Sequence, residues 1–338
     1  SPSLVQGLSS LVTASVELQQ YDRAVAFGNE ALDIINKQPP GLFPDRYEPD
    51  LYYNLGVCYY RLSDYSKSVL YLEKAESFYA AGNMVRDEKY INLLNSLAVT
   101  YGYLGQMDRS LDFYGRGMEI AEIINSAPSY NFINSYAIAL GNSGRITEGQ
   151  EILFSLLERA GKIYGKQSWS YIEVLKNYAD YLRIYRIDPV LSLSYFEECL
   201  RYTEAHPDEP ALRDPVMLGY ALALSANHQN EKALDIITRL SDQVSGSRDG
   251  PDATSLKADQ KSLLYLRARY SILKGLYSES GRAELLLETA TTSEEIIRLL
   301  ERIRINISEE ESRLILGDRY RDSYLMAIND FYLCFKES

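Results

Sequence analysis

The chain is poor in the residues from which most enzyme and metal sites are built. Its 338 residues hold two histidines, one tryptophan and three cysteines. His206 lies in His206-Pro207-Asp208-Glu209-Pro210, where the prolines mark a loop, and His228 falls at a turn between two helical segments. Neither has partners at ligand spacing, so no metal, no cofactor and no catalytic histidine is expected. Cys58, Cys199 and Cys334 are odd in number and far apart, so no disulfide framework can be read. Reduced thiols in a cytoplasmic protein are the expectation: Cys58 and Cys199 as packing residues, Cys334 in a core or an interface. No run approaches the 18 apolar residues of a membrane span. Basic residues are outnumbered 35 to 47, for a formal charge of -12, and such a chain repels phosphate backbones. Nucleic acid and anionic membranes are therefore not expected partners. The first residue is Ser1, with no apolar signal region after it, which reads as processing or as a piece of a longer protein.

Other chemistry is missing too. Gly115-Arg116-Gly117 has no strand before it and no Lys-Ser or Lys-Thr after it, so it is a helical segment and not a phosphate loop. Asn306-Ile307-Ser308 fits a glycosylation sequon, which matters only in a secretory protein. Carboxylate pairs abound without a cleft to hold them. No residue set supports an autonomous enzyme, and no catalytic residue is assigned.

Tyrosine, by contrast, occurs 29 times, and it recurs in register. Tyr52-Tyr53-Asn54-Leu55-Gly56-Val57-Cys58-Tyr59-Tyr60-Arg61 is followed by Asp64-Tyr65, Ser68, Leu72 and Ala75. Leu97-Ala98 with Tyr101, Gly105, Ser110 and Tyr114 repeats the frame. So do Tyr136-Ala137 with Leu140, Gly144, Gly149 and Leu153, Tyr178-Ala179 with Leu182, Ser192, Phe196 and Cys199, and Tyr220-Ala221 with Leu224, Ala233 and Ile237. Leu11-Val12 with Tyr21-Asp22, Ala24 and Ala31 is a weaker first unit. The small positions are 12, 56, 98, 137, 179 and 221, spaced 39–44 residues apart. This pattern resembles the tetratricopeptide repeat (TPR). The units exceed the basic 34 residues by roughly two helical turns, and in this they are similar to the repeats of kinesin light chains, as is Gly165-Lys166-Gln167-Ser168-Trp169. The resemblance implies an all-α fold: a right-handed α-α superhelix, or TPR-like solenoid, of about six to seven helical hairpins plus C-terminal helices. Gly56 would let the helices of one hairpin approach closely. Tyr59, Tyr65, Tyr101, Tyr114, Tyr136 and Tyr178 would fill core slots.

Residues 1–244 are expected to form the array, and 257–338 a degenerate repeat with long C-terminal helices. Between them, 241–256 reads as a loop because Gly, Pro, Ser and Asp dominate. Lys274-Gly275-Leu276-Tyr277 reads as a turn, Thr292-Ser293-Glu294-Glu295 as a capping box opening a helix, and Ser308-Glu309-Glu310-Glu311 as a second one. The last helix is apolar on more than one face around Tyr324-Leu325-Met326-Ala327-Ile328 and Phe331-Tyr332-Leu333-Cys334-Phe335. It either tucks into the superhelix or packs on a following domain. Glu309, Arg313, Tyr320, Arg321, Tyr324, Ile328 and Phe335 resemble the linker helix before the protease domain of CHAT proteins, TPR-containing relatives of caspases. The chain has no caspase-like His and Cys dyad, so none of that chemistry carries over.

In a TPR superhelix, set positions of the first helix of each hairpin (helix A) line the concave groove. Projecting them gives Tyr53, Asn54, Val57, Tyr60 and Arg61; Asn92, Asn95, Val99 and Tyr103; Asn131, Asn134, Ile138 and Asn142; and Lys176, Asn177, Asp180 and Arg183. Asn54, Asn95, Asn134 and Asn177 recur at like positions although Asn is a poor helix former. An amide both donates and accepts, so such a row suits the backbone of an extended peptide; alternatively it solvates the face or links adjacent helices. The groove lacks the full set of basic residues of the carboxylate clamp, which argues against acidic C-termini as ligands. The expected role is a protein–protein interaction scaffold for a protein or peptide ligand, or for its own following domain. The alternative is the regulatory arm of a larger protein: a CHAT-type protease, a kinase or a transcription factor.

Overall fold

A computed structural model describes residues 2–18, 20–38, 47–81, 87–124, 129–246, 256–305 and 321–337, and every element among them is a helix. By their internal contacts the helices fall into two units, divided between Gly144 and Arg145. The first holds α1 (Pro2–Glu17), α2 (Tyr21–Asn36), α3 (Tyr47–Arg61), α4 (Tyr65–Ala81), α5 (Glu88–Tyr103), α6 (Met107–Ile123) and α7 (Tyr130–Asn142). The second holds α8 (Ile146–Tyr164), α9 (Trp169–Ile184), α10 (Pro189–Ala205), α11 (Pro210–Ala226), α12 (Asn230–Gly246), α13 (Leu256–Ser280), α14 (Ala283–Ile305) and the last helix, which we number α15 (Arg321–Glu337). Within each unit successive helices pack on one another. None of the helices is long and apolar enough to cross a membrane, among the described residues.

The small positions explain the repeat. Residue 12, 56, 98, 179 or 221 on helix A faces a second small residue in the first turn of the following helix B, and both are buried in every case. Where that second residue is serine, its hydroxyl donates to the helix A carbonyl: Ser68 to Gly56 (2.8 Å), Ser110 to Ala98 (2.7 Å) and Ser192 to Ala179 (2.8 Å). A larger side chain would push the helices apart and leave a buried hydroxyl without a partner. Gly56 shows how little room there is, because a Cβ built there would lie 2.6 Å from the Leu72 side chain.

Helix A ends the same way in most hairpins. Ser63, Gly105, Gly144, Arg186, His228 and Gly281 each stand just beyond its end with positive φ. The following amide closes a six-residue turn in four cases: Asp64 to Tyr59, Gln106 to Tyr101, Ile187 to Leu182 and Gln229 to Leu224. That is the Schellman arrangement, which satisfies the last carbonyls of a helix. Helices α5, α7, α9 and α10 begin on capping side chains, Asp87, Ser129, Ser168 and Asp188.

The tyrosines take two roles. Tyr59, Tyr65, Tyr101, Tyr114 and Tyr178 are buried, while Tyr136 is half-buried against Tyr114 at 5.3 Å. Hydroxyls at the rim of the core join α4, α5 and α6 in two clasps. Tyr90 donates to Glu76 (2.8 Å) while Arg116 donates to both. One turn earlier on α4, Glu73 accepts from Tyr101, about three turns along α5 from Tyr90, and the Arg109 guanidinium lies 4.4 Å from the Tyr101 ring centre.

Three local expectations fail in the second unit. Helix α12 continues through Ser241 to Gly246, with the Ser241 hydroxyl turned back onto Ile237, and Leu256 opens α13, so the loop is shorter than 241–256. Lys274–Tyr277 is not a turn. Gly275 sits inside α13 because Asn230 packs against it, 3.1 Å from where a Cβ would stand, and the turn comes at Gly281. Thr292 and Ser293 do not open a helix either. They are buried in the middle of α14, and their hydroxyls donate to Glu288 and Ala290 carbonyls of the same helix. The sequon, the Ser308 capping box and residues Glu309, Arg313 and Tyr320 lie outside the described residues.

Candidate functional site

The projected helix A residues share one property: none is buried. Tyr53, Asn54, Val57, Tyr60, Asn95, Val99, Tyr103, Asn134, Lys176, Asn177, Asp180 and Arg183 are half-buried, and Arg61, Asn92, Asn131, Ile138 and Asn142 are exposed. The opposite faces of the same helices carry the core, with Leu51, Leu55, Leu94, Leu97, Ala137, Leu140, Leu175 and Ala179 at 0 to 1% exposure. Helical periodicity therefore sends these side chains to one accessible face on each helix A.

In the first unit the face carries a single charge, Arg61, and is rich in neutral hydrogen-bonding groups. Tyr60 on α3 meets Tyr103 on α5 edge to face at 5.3 Å, and Tyr65 of α4 touches both, at 5.9 and 5.0 Å. The projection assigned Tyr65 to the core; nothing in its spacing shows that its ring also supports two groove tyrosines. The Arg61 guanidinium lies 5.8 Å from the Tyr60 ring centre. Burial, and then Tyr103, raises the Tyr60 hydroxyl well above its ordinary pKa, so it stays a neutral donor. Above and below this aromatic step stand the asparagines. Among the described residues the side-chain amides of Asn54, Asn95 and Asn134 make no hydrogen bond, and the Asn95 Oδ1 is buried without a partner. Leaving such an acceptor unmade costs roughly 1–3 kcal/mol.

The α9 face in the second unit is charged and internally matched. Asp180 accepts from Arg183 at 2.7 Å and sits 3.9 Å from Lys176. Glu173, one turn before Lys176, extends the stripe; its carboxyl is raised by burial and pulled the other way by Lys176. It lies six residues before the small position, as Asn92 and Asn131 do, a place in the frame for which the sequence reading names no residue on this helix. Asn177 stands beside these charges, half-buried.

The histidines and cysteines have structural surroundings. His206 caps α10 and stacks on Tyr202 at 4.1 Å, and His228 occupies a left-handed turn beside Glu279. Burial pushes the thiols of Cys58 and Cys199 up to about 12, which leaves them unreactive near neutral pH. Among the described residues no three of His, Cys, Asp and Glu are grouped to hold a metal ion.

The tetratricopeptide repeat family model matches residues 49–80, which lie in α3 and α4. No curated protein matches the chain. Among solved structures, the Rap protein complexed with Competence and Sporulation Factor aligns over 99% of this chain and 98% of its own, with TM-score 0.55 at 13% identity. The apo form of the quorum sensor NprR from B. thuringiensis covers 95% of this chain and 87% of its own, with TM-score 0.54 at 14% identity. Kinesin light chain nearly identical TPR-like repeats from Podosopora anserina cover 61% and 97%, with TM-score 0.52 at 15% identity. At such identities the likeness carries the fold: the chain is an all-α, TPR-like solenoid containing a tetratricopeptide repeat, and its lengthened units have kinesin-light-chain-like counterparts.

Proposed function

We propose that this chain is a protein-interaction scaffold whose first unit holds an extended peptide, or an extended segment of another protein, against the accessible faces of α3, α5 and α7. One observation carries the reading: Asn54, Asn95 and Asn134 recur on three successive A helices with their amides unused, and the buried Asn95 Oδ1 has no partner among the described residues. Each amide offers a donor and an acceptor to a peptide backbone and reads no side chain. Selectivity would come from Tyr53, Val57, Tyr60, Val99, Tyr103 and Ile138, with Asn92, Asn131 and Asn142 at the solvent edge. With a formal charge of -12 the chain favours a neutral or basic peptide over an acidic one. In the second unit, Lys176, Asn177, Asp180 and Arg183 enter the proposal as a charged face whose ion pairs are already made. The Rap protein of like fold was solved complexed with a factor, which agrees with a binding role; the class of ligand is argued here from the residues alone.

The test is a peptide array read with labelled protein, followed by titration of the strongest binder. Asn95→Ala with Asn134→Ala should weaken that binder about tenfold or more, at roughly 1 kcal/mol for each hydrogen bond lost. The same double variant should keep its melting temperature or raise it, since a buried unpaired acceptor is removed. Unchanged affinity would take this face out of the account.

A further inference from the structure

Helix α15 is seated with the wrong side out. It packs on α14 through small and polar positions: Ala327 and Asp330 are buried, and Cys334 is half-buried. Asp330 has no exposed side-chain surface and is held by Lys274 of α13 at 2.9 Å. The large apolar residues point to solvent: Leu325 is 52% exposed, Ile328 67%, Phe331 47%, Tyr332 62% and Phe335 80%. At 150–250 Å² for an aromatic and somewhat less for an aliphatic, these five leave roughly 600 Å² of apolar surface on one helix, at the upper limit of what a monomer shows.

The spacing of that surface is informative. Leu325, Ile328, Tyr332 and Phe335 follow one another at intervals of 3, 4 and 3 residues, the seam of a coiled coil. No charge interrupts the seam. Asp322 and Lys336 flank it at opposite ends of one column, and neither has a salt bridge or hydrogen bond among the described residues. A second copy running antiparallel sets Asp322 against Lys336 of the other chain twice, Leu325 against Phe335, and Ile328 against Tyr332. A parallel copy leaves Asp322 and Lys336 at opposite ends, so neither pair forms. Antiparallel pairing also opposes the two helix dipoles favourably. The area covered from both sides, roughly 1,200 Å², reaches the lower bound of a specific interface.

From this we infer that α15 is a self-association helix, through which two copies of this chain form an isologous antiparallel dimer. The surface belongs to the second unit and is independent of the asparagine face in the first.

Sedimentation equilibrium of the 338-residue chain over a range of concentrations should show a monomer–dimer equilibrium. Ile328→Asp should abolish the dimer while leaving the helical circular dichroism intact, because two thirds of Ile328 faces solvent and it is not a core residue. Asp322→Lys alone and Lys336→Asp alone should each weaken dimerisation about threefold to tenfold for the two symmetric pairs. Asp322→Lys combined with Lys336→Asp should restore it, a result that neither a nonspecific apolar contact nor a parallel pair gives. A monomer at every concentration overturns the inference, and so does a dimer that survives Ile328→Asp or that fails to recover in the double exchange.

Discussion

Helices α5 and α9 occupy the same place in their hairpins and turn the same kind of face to solvent, yet they treat their polar groups in opposite ways. On α9 every charge of the stripe from Lys176 to Arg183 has an ion-pair partner on its own helix, both cations converging on Asp180, although the Arg183 Nε is itself buried without a hydrogen bond. On α5 the Asn95 carbonyl is buried without one, and Asn54 and Asn134 on the neighbouring A helices are equally unengaged. A folded protein rarely leaves a buried acceptor unmade unless something else makes the bond. A self-matched face adds to stability, whereas an unmatched row of amides is what the proposed binding role would use.

The largest expected effect concerns what the two units share. Burial raises hydroxyls in both: Tyr79 and Tyr90 in the first unit and Tyr181, Tyr202 and Tyr324 in the second are all pushed up to about 12. Hydrogen bonds from Tyr90 to Glu76, Tyr202 to Glu209 and Tyr324 to Glu301 add to the shift. An unfolded tyrosine ionises near pH 10. Above that pH the unfolded chain releases protons that the folded one retains, so stability falls as pH rises from about 10 to about 12. Circular dichroism and tyrosinate absorbance followed together should show cooperative unfolding within that window. Tyrosinate appearing gradually before any loss of helix would mean the hydroxyls are open to water, and the contrast between the units would then extend to their cores.

A second, smaller effect tests the contrast directly. Asp180→Ala leaves Lys176 and Arg183 facing each other with 17% and 18% of their side chains exposed, and the Arg183 Nε is already unpartnered. Removing one partner costs 3–5 kcal/mol in a buried pair and next to nothing at a surface, so about 2 kcal/mol is expected here. Urea unfolding should show the loss, while affinity for the strongest binder from the peptide array stays unchanged. A neutral Asp180→Ala would erase the distinction between a matched face and an unmatched one.

How much of this was legible follows from what kind of force fixes each feature. Positions 56, 98, 179 and 221 could be read because close helix approach admits only small residues, a rule written in single letters at a fixed spacing. The asparagines were equally visible as a row. That Asn95 is unmatched and Asp180 doubly matched was not, because it depends on which rotamers the packed neighbours allow. The failures share one cause. Gly275, Thr292 and Ser293 carry the local signature of a turn or a cap, and in each case burial of the helix overrides it: Asn230 fills the space left by the missing Cβ, and the buried α14 hydroxyls bond carbonyls of their own helix. Capping signals compete with helix continuation at energies of about 1 kcal/mol, which a buried helix face easily outweighs.

The smallest expected effect lies in the turns, where both units mix glycine with ordinary residues at one geometry: Ser63 beside Gly105 and Gly144 in the first, Arg186 and His228 beside Gly281 in the second. Gly105 and Gly144 take positive φ in the first unit without a side-chain cost, whereas Arg186 in the second takes φ 54° with a Cβ against the following carbonyl. That conformation costs an ordinary residue about 1–2 kcal/mol, and glycine recovers it at an entropic cost of roughly 0.5–1 kcal/mol in the unfolded chain. Arg186→Gly should therefore stabilise the protein by about 0.5 kcal/mol, visible as a slightly higher urea midpoint with an unchanged slope. The exposed Arg186 side chain makes no hydrogen bond or ion pair among the described residues, so nothing else is lost in the exchange. A lower midpoint would mean that the arginine holds the α9–α10 turn through its side chain, and the second unit would then rely on charge in its turns as it does on the face of α9.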